Sequence, residues 1–306
     1  VLDIYELNIF LAAAETENFS EAARQLSLTQ PAVSMQIRSL EKKLGVPLFY
    51  RSGRSLVLTE QGKVLTSLAR DMVNHAIQIE EEIESLKGEV VGHLKIGCST
   101  STGKYFLPHL AARFRRRYPA VQMTIYNHSR DVVIDELCEG AVQLAVVSAL
   151  PTCKDVEYRH FFTDHVVLIV PCSHSWATRD IVTLDELRKA NFILRDQLSG
   201  TREEVELTLE EAGLSVNDLN VVMEIGNSEA ISMAVEEGIG VAFVSRTVAR
   251  RGIELGKIKE VKVSELSLKR EVFIAHSLRH PATRAQTEFW KFVQEPENET
   301  LLQLAA

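Results

Sequence analysis

At 306 residues, with 45% apolar and 25% charged side chains, the chain is too long for one ordinary core and has the composition of a globular protein of two or three domains. No apolar run follows an early basic segment or approaches a membrane span in length, so a cytoplasmic protein is expected and a secreted or membrane one is not. The net charge of −8 argues against a uniformly basic surface and moves the question of a nucleic-acid partner to where basic residues cluster. Four cysteines, Cys98, Cys138, Cys153 and Cys172, form no C-x-x-C pair and predict reduced thiols, with neither a disulfide framework nor a zinc site. Cys172 and His174 stand close, but two ligands make no metal site.

The first helix is predicted over 4–14, where Leu7, Phe10, Leu11 and Ala14 fall on one face. A short helix follows, with Ser20 as its N-cap and Ala22, Ala23 and Leu26 facing in; its small alanines let two helices cross closely. Only Ser27, Leu28 and Thr29 connect it to a helix over 30–44, so the angle between the two is steep and the second projects outward. That second helix has an inward stripe of Val33, Ile37, Leu40 and Leu44, Thr29 as a cap, Pro31 in its first turn and Gly45 as its stop. Its outward face carries Gln30, Pro31, Ser34, Met35 and Arg38, the mixture of amide, hydroxyl, apolar and guanidinium groups that reads base edges in a major groove. Residues 48–58 read as a two-stranded hairpin turning at Gly53, with Arg51 and Arg54 placed for a phosphate backbone or minor groove. Between Arg38 and Arg54 lie five basic residues against Glu41 alone, a modest local excess that makes dimerisation the expected route to tight binding.

From Thr59, a good cap, a helical pattern without proline runs to about 87, near 40 Å at ~1.5 Å per residue. Leu65, Met72, Ile79 and Leu86 repeat every seven residues, with Ala69, Ala76 and Ile83 four after the first three, so an a/d seam for a second copy of the chain is predicted. Glu80, Glu81, Glu82 and Glu84 are assigned to its solvated flank.

The combination Leu7-x-x-Phe10, Ser20-x-Ala22-Ala23-x-x-Leu26, Gln30-Pro31-Ala32-Val33-Ser34-x-x-Ile37-x-x-Leu40-Glu41-x-x-Leu44-Gly45-x-x-Leu48-Phe49-x-Arg51 and Leu58-Thr59-x-x-Gly62 resembles the N-terminal signature of LysR-type transcriptional regulators. The resemblance implies an α/β multidomain protein: a winged helix-turn-helix, a long linker helix and a two-lobed effector domain like that of periplasmic solute-binding proteins. It implies binding to double-stranded promoter DNA as a homodimer or homotetramer, under control of a small molecule held between the lobes.

Past a hinge at 88–91, alternating strands and helices are expected. Strands are placed at 93–97, 121–126, 144–147, 166–170, 192–194, 221–225, 240–244 and 272–275, and helices at 103–118, 132–139, 184–189, 202–212, 228–236 and 283–293. Short Val/Ile runs between helices predict parallel-rich sheets, which bind ligands beyond the carboxyl ends of their strands. The expected division is 1–58 for DNA binding, 59–87 for the linker helix and 92–294 for the effector domain. Its first lobe is drawn at 92–162 with 266–294 and its second at 163–265, leaving 295–306 as a loose tail.

Candidate binding chemistry gathers at helix starts. The run from Gly97 to Lys104 fails as a nucleotide P-loop, because its glycine spacing is one residue too long and Tyr105 stands at the metal-binding hydroxyl position. Ser99, Thr100, Ser101 and Thr102 nevertheless place four hydroxyls where backbone N–H groups and the helix dipole favour an anion. Thr201, read as a helix cap, Asn227, Ser148 and His128 follow other strands and complete a proposed ring around one cleft, which resembles the family's inducer site. Arg202 either pairs with the anion or with Glu203 to Glu206 on its own helix. A small anionic metabolite is the expected effector, and no cofactor is. No Gly-x-Ser-x-Gly elbow, His-Glu-x-x-His motif or paired nucleophile and base supports an enzyme, and a plain solute-binding module leaves the N-terminal helices unexplained.

Overall fold

The computed structural model describes residues 1–52, 55–86, 88–99, 101–150, 153–197 and 199–298, without the side chains of Arg51, Ser52, Ser55, Ser101 and Thr102. Three helices open the chain: α1 (Ile4–Thr16), α2 (Phe19–Gln25) and α3 (Gln30–Leu44). Asn18, not Ser20, caps α2, accepting from the Ser20 and Glu21 amides, because the helix starts two residues earlier than a Ser20 cap would place it. Thr29 caps α3 through the Ala32 amide, and Gly45 ends it at φ +72°, a left-handed conformation that suits glycine. Leu7, Phe10, Ala22, Ala23, Val33, Ile37 and Leu40 share one core, so the inner stripe of α3 packs against both preceding helices. Glu6 of α1 is only 4% exposed and takes Lys43 Nζ at 2.7 Å and the Ser39 hydroxyl at 2.8 Å, fixing the rotation of α3. The wing follows as β1 (Phe49–Ser52) antiparallel to β2 (Ser55–Leu58); the expected turn at Gly53 and Arg54 lies outside the described residues.

Helix α4 (Glu60–Ser85) starts at the Thr59 cap, which accepts from the Gly62 amide. Its face divides differently from the predicted seam. Leu65 and Ala69 are buried with Val73 against the helix-turn-helix core, whereas Val64, Leu68, Met72, Ile79, Ile83 and Leu86 remain exposed. The first a/d pair is thus consumed within the chain, because α4 packs along α1 and Arg70 of α4 meets Glu15 at 2.8 Å. Its second half lies on the following domain: Asn74 Nδ2 donates to the Gly140 carbonyl at 3.2 Å, Gln78 Nε2 to that of Ala282 at 3.3 Å, and Asp71 meets His280 at 2.7 Å. Glu81 leaves the solvated flank to which its charge assigned it. It is 6% exposed and accepts the His93 amide.

The remaining chain forms β3 (Gly92–Cys98), α5 (Ser101–Arg117), β4 (Val121–Asn127), α6 (Arg130–Cys138), β5 (Leu144–Val147) and the 16-residue β6 (Val156–Pro171). Then come β7 (Ile181–Val182), α7 (Leu184–Leu187), β8 (Asn191–Arg195), α8 (Gly200–Glu211), β9 (Asn220–Ile225) and α9 (Ser228–Glu236). The last elements are β10 (Ala242–Ser245), α10 (Arg246–Glu254), β11 (Ile258–Val263), β12 (Lys269–Ser277) and α11 (Arg284–Phe292). Strands β4, β3 and β5 are parallel as predicted, but β12 and β6 run antiparallel to their neighbours and make the sheet mixed. The reason is topological. The first half of β6 pairs with β12, its second half with β10 and β11, so two long strands carry the chain between lobes.

Each lobe has its own core. Leu94, Ile96, Phe106, Phe114, Phe289 and Trp290 fill the first; Leu168, Trp176, Phe192, Leu209 and Phe243 fill the second. Leu266 and Leu268 also pack into the second, so the chain leaves that lobe near residue 269. At the crossing, Arg270 stands opposite Asp164 in register, and its Nη2 reaches Asp164 Oδ2 at 2.5 Å in a site almost closed to water.

The cysteine expectation is corrected: Cys138, at the end of α6, is joined to Cys153, ahead of β6. Their Cα atoms lie 6.0 Å apart, within disulfide reach, a proximity created by the α6–β5–β6 path and invisible in a spacing of 15 residues. Cys98 is buried and Cys172 exposed. Residues 295–298 do not hang loose, since Arg117 pairs with Glu295 at 2.6 Å and buried Asn298 donates to the Phe292 carbonyl. Among the described residues, no helix is long and apolar enough to cross a membrane and no acid, His and Cys cluster is placed to hold a metal.

Candidate functional site

A cavity of about 260 Å³ opens between the lobes where four helices begin. Ser99 and Lys104 reach it from the start of α5, Ser129 and Arg130 from α6, Ser199 to Thr201 from α8, and Asn227 with Ser228 from α9. The N-terminal ends carry unsatisfied N–H groups and partial positive charge, so their convergence favours an anion before any side chain is counted. Side chains reinforce this. Lys104, Arg130, Arg195 and Arg270 line the cavity, against Asp196 as the one lining carboxylate among the described residues.

Each of these cations already has partners. Arg195 meets Asp196 at 2.9 Å and donates to the Ser228 hydroxyl at 2.6 Å. Arg270 donates to Thr201 Oγ1 at 2.9 Å besides its bond to Asp164, and its Nε lacks an acceptor among the described residues. Lys104 of the first lobe approaches Glu229 of the second at 3.7 Å, and Arg130 of the first pairs with Glu203 of the second. Burial works against the Arg130 cation, but Glu203 and Asp131 outweigh it and hold its pKa above the usual arginine value. These two pairs bridge the lobes across the cavity. A ligand carboxylate or phosphate would compete with Glu203 and Glu229 for cations already in place.

Of the residues singled out in sequence, Ser99, His128, Ser148, Thr201 and Asn227 line this cavity. Several have other duties there. Asn227 caps α9 through the Ala230 amide, and His128 is bound to Glu136 at 2.9 Å. Thr201 is not the cap of α8; Ser199 is, and Thr201, 2% exposed, instead anchors Arg270. Arg202 turns away to Glu206 at 2.5 Å. Thr100 lies outside the described residues, as do the side chains of Ser101 and Thr102. Ser129 was missed, although it occupies the N-cap of α6 without making a capping bond. The four cations were missed as well. They come from α5, α6, β8 and β12, and only topology brings such distant positions together.

At the other end of the molecule, Gln30, Pro31, Met35 and Arg38 are exposed on α3 and Ser34 is half-buried. Arg38 has no ion pair among the described residues, so its guanidinium is uncommitted. Glu41, on the same helix, accepts the Leu48 amide at 2.8 Å and ties β1 to α3, which sets the wing beside the exposed face. Arg51 lies on β1, with its side chain not described, and Arg54 falls outside the described residues.

Residues 4–63 match the family described as bacterial regulatory helix-turn-helix protein, lysR family, and residues 87–296 match the LysR substrate binding domain. The chain belongs to the LysR family of transcriptional regulators. This LysR-family protein is 33% identical over 284 residues to a regulator of Methanocaldococcus jannaschii named an uncharacterized HTH-type transcriptional regulator, covering 93% of this chain and 96% of the relative. Among solved structures, a full-length OxyR variant from Pseudomonas aeruginosa shares the fold with a TM-score of 0.73 at 22% identity, covering 96% and 95% of the two chains. The CcmR regulatory domain of Synechocystis, solved in complex with 2-PG, matches 66% of this chain and 95% of its own, with a TM-score of 0.59 at 23% identity. The two family matches cover the helix-turn-helix with the start of α4 and then both lobes, so this LysR-family protein couples a DNA-binding module to an effector domain.

Proposed function

We propose that this regulator binds promoter DNA as a dimer and that a small anionic metabolite, seated between the lobes, controls its output. The observation that carries the reading is the charge of the cleft: among the described residues, four helix starts and four cationic side chains surround about 260 Å³, with one acid lining it. The volume suits a compact carboxylate or phosphorylated acid. The residues proposed to hold it are Lys104, Arg130, Arg195, Ser99, Ser129, Ser148 and the α8 amides near Thr201, with Arg270 behind them. The bound anion displaces Glu203 and Glu229 from Arg130 and Lys104, changing the contacts that set the lobes' spacing, and the shift passes to α4 through the first lobe. The complex of CcmR with 2-PG supports an acid of this kind as the first probe. The protein is placed in the cytoplasm, where its promoter is.

DNA reading is assigned to Gln30, Pro31, Ser34, Met35 and Arg38 on α3, with Arg51 and Arg54 of the wing on the backbone. Dimerisation is assigned to the apolar row that α4 leaves uncovered, in which Ile79 is 64% exposed and Ile83 59%. The experiment is a gel shift on a palindromic promoter fragment with and without 2-PG. Arg38→Ala should cost ~1–3 kcal/mol on that fragment and little on random DNA. Ile79→Glu should halve the sedimentation mass and weaken operator binding with it, since the new charge would be buried unpaired in a coiled seam. A 2-PG-insensitive wild type would remove the anion from the account, and equal loss on both DNAs would remove Arg38 from base reading.

A further inference from the structure

A second cavity, of about 130 Å³, lies where α4 rests on the first lobe, away from the interlobe cleft. Asn74 and Ile77 of α4 form one wall, His93 and Lys95 of β3 another, and Gln143, Ser277 and Gln286 close it. It holds three donors without work. Gln286 is 4% exposed and lines the cavity, yet its side-chain amide has no hydrogen-bond partner among the described residues. The Lys95 side chain has no ion pair or hydrogen bond among them either; its backbone N–H donates to Gln143 Oε1 at 2.7 Å, which leaves the Gln143 NH2 unused. The buried Gln286 and the half-buried Lys95 thus face one space in which the described residues supply no acceptor for their side chains.

The surroundings select the sign of the missing group. Among the described residues, no Asp or Glu lines the cavity. Two carboxylates meet residues of its lining: Asp71 pairs with His280 at 2.7 Å, and Glu81 takes the His93 amide on Oε1 while its Oε2 has no hydrogen-bond partner among the described residues. His93 is occupied by Thr124 at 2.7 Å, and Asn74 by the Gly140 carbonyl. Water takes ~30 Å³ in the liquid, so the space admits a few waters or one small oxyanion.

We propose that this cavity is a binding site for a small inorganic oxyanion of the sulfate, phosphate or bicarbonate type, held by Lys95, Gln143 and Gln286. It is a site separate from the cleft and independent of what the cleft binds. Its place gives it a role: one wall is α4, the element that joins the DNA-binding module to the lobes, so an occupied site clamps the linker helix to the first lobe.

The test is titration calorimetry of the full chain with inorganic sulfate in a buffer free of other oxyanions, joined to hydrogen exchange of residues 74–85. Wild type should show saturable binding and slower exchange of those amides once occupied. Lys95→Met and, separately, Gln286→Leu should each weaken that site at least about tenfold and abolish the exchange effect. Gln286→Leu, an apolar replacement of similar size, guards against a folding artefact because its thermal midpoint should hold or rise. Lys104→Gln weakens any sulfate binding in the cleft and should leave the exchange effect intact. Exchange that sulfate does not alter, or sulfate binding unchanged in both Lys95→Met and Gln286→Leu, would show that the cavity holds only water and overturn the proposal.

Discussion

Gly200, at the start of α8 in the second lobe, lies so close to Ser148 of the first that a Cβ added to it would stand 2.6 Å from the Ser148 hydroxyl. A side chain enters that gap only if the Ser148 hydroxyl turns away or the two elements part. The contact therefore measures how near the lobes approach at the back of the cleft, and glycine is needed for space.

Gly200→Val should prop the cleft open at that point and disturb the amides offered to the ligand. Binding of an anionic probe should weaken at least about tenfold, while operator affinity without ligand stays within about twofold, because the DNA-binding module lies beyond α4. Thermal-shift titration and a gel shift read the two effects separately. A variant that binds the anion as tightly as wild type would show that the Ser148 contact does not shape the site.

Arg270→Met should be strongly destabilising. Asp164 is fully buried and has Arg270 and the Ser245 hydroxyl as partners, the latter at 2.6 Å, so removing the guanidinium leaves a carboxylate buried without its counter-charge. A loss of ~3–5 kcal/mol is expected in urea unfolding. The double variant Asp164→Asn, Arg270→Met should recover a large part of it. A single-variant loss under ~1 kcal/mol would mean that water reaches the crossing between lobes.

Glu81→Gln should stabilise the protein at neutral pH. Burial pushes the Glu81 carboxyl above its ordinary value of 4.5, and the bonds from the His93 amide and Thr283 hydroxyl only partly oppose this. An acid whose folded pKa is raised binds its proton more tightly in the folded chain, so stability is highest below 4.5 and falls as pH rises through the folded value. The glutamine variant escapes that fall. Its thermal midpoint should exceed that of wild type at pH 7 and converge with it toward pH 4; a pH-independent difference would contradict the assignment to charge burial.

Local rules carried much of the fold. Thr29, Pro31 and Gly45 bound α3 at the residues observed, and Thr59 starts α4, because caps and breakers act within a few residues of themselves. Longer-range facts escaped. β6 was read as only its apolar end, 166–170, because Asp164 and His165 interrupt the pattern where the strand passes between lobes and meets Arg270. β11 and α10 before it carry no predicted element, since Lys259 and Glu260 stand side by side and break the two-residue alternation of the strand, and charged residues crowd the helix. In the cleft, hydroxyls at helix starts were legible as a local pattern, whereas Lys104, Arg130, Arg195 and Arg270 share no spacing and meet only through the crossed strands. The Cys138–Cys153 pair escaped for the same reason.

The central claim is that the cleft cations recognise an anion, and calorimetric titration of the full chain with 2-PG, in wild type and in the double variant Lys104→Gln, Arg195→Gln, tests it most directly. Both side chains line the cavity, while the buried Arg270–Asp164 pair that supports the fold is left untouched. The account predicts saturable binding by wild type and a loss of at least about a hundredfold in the double variant, roughly tenfold for each cation removed. Equal affinity in the two proteins would contradict it and place the effector away from the interlobe cleft.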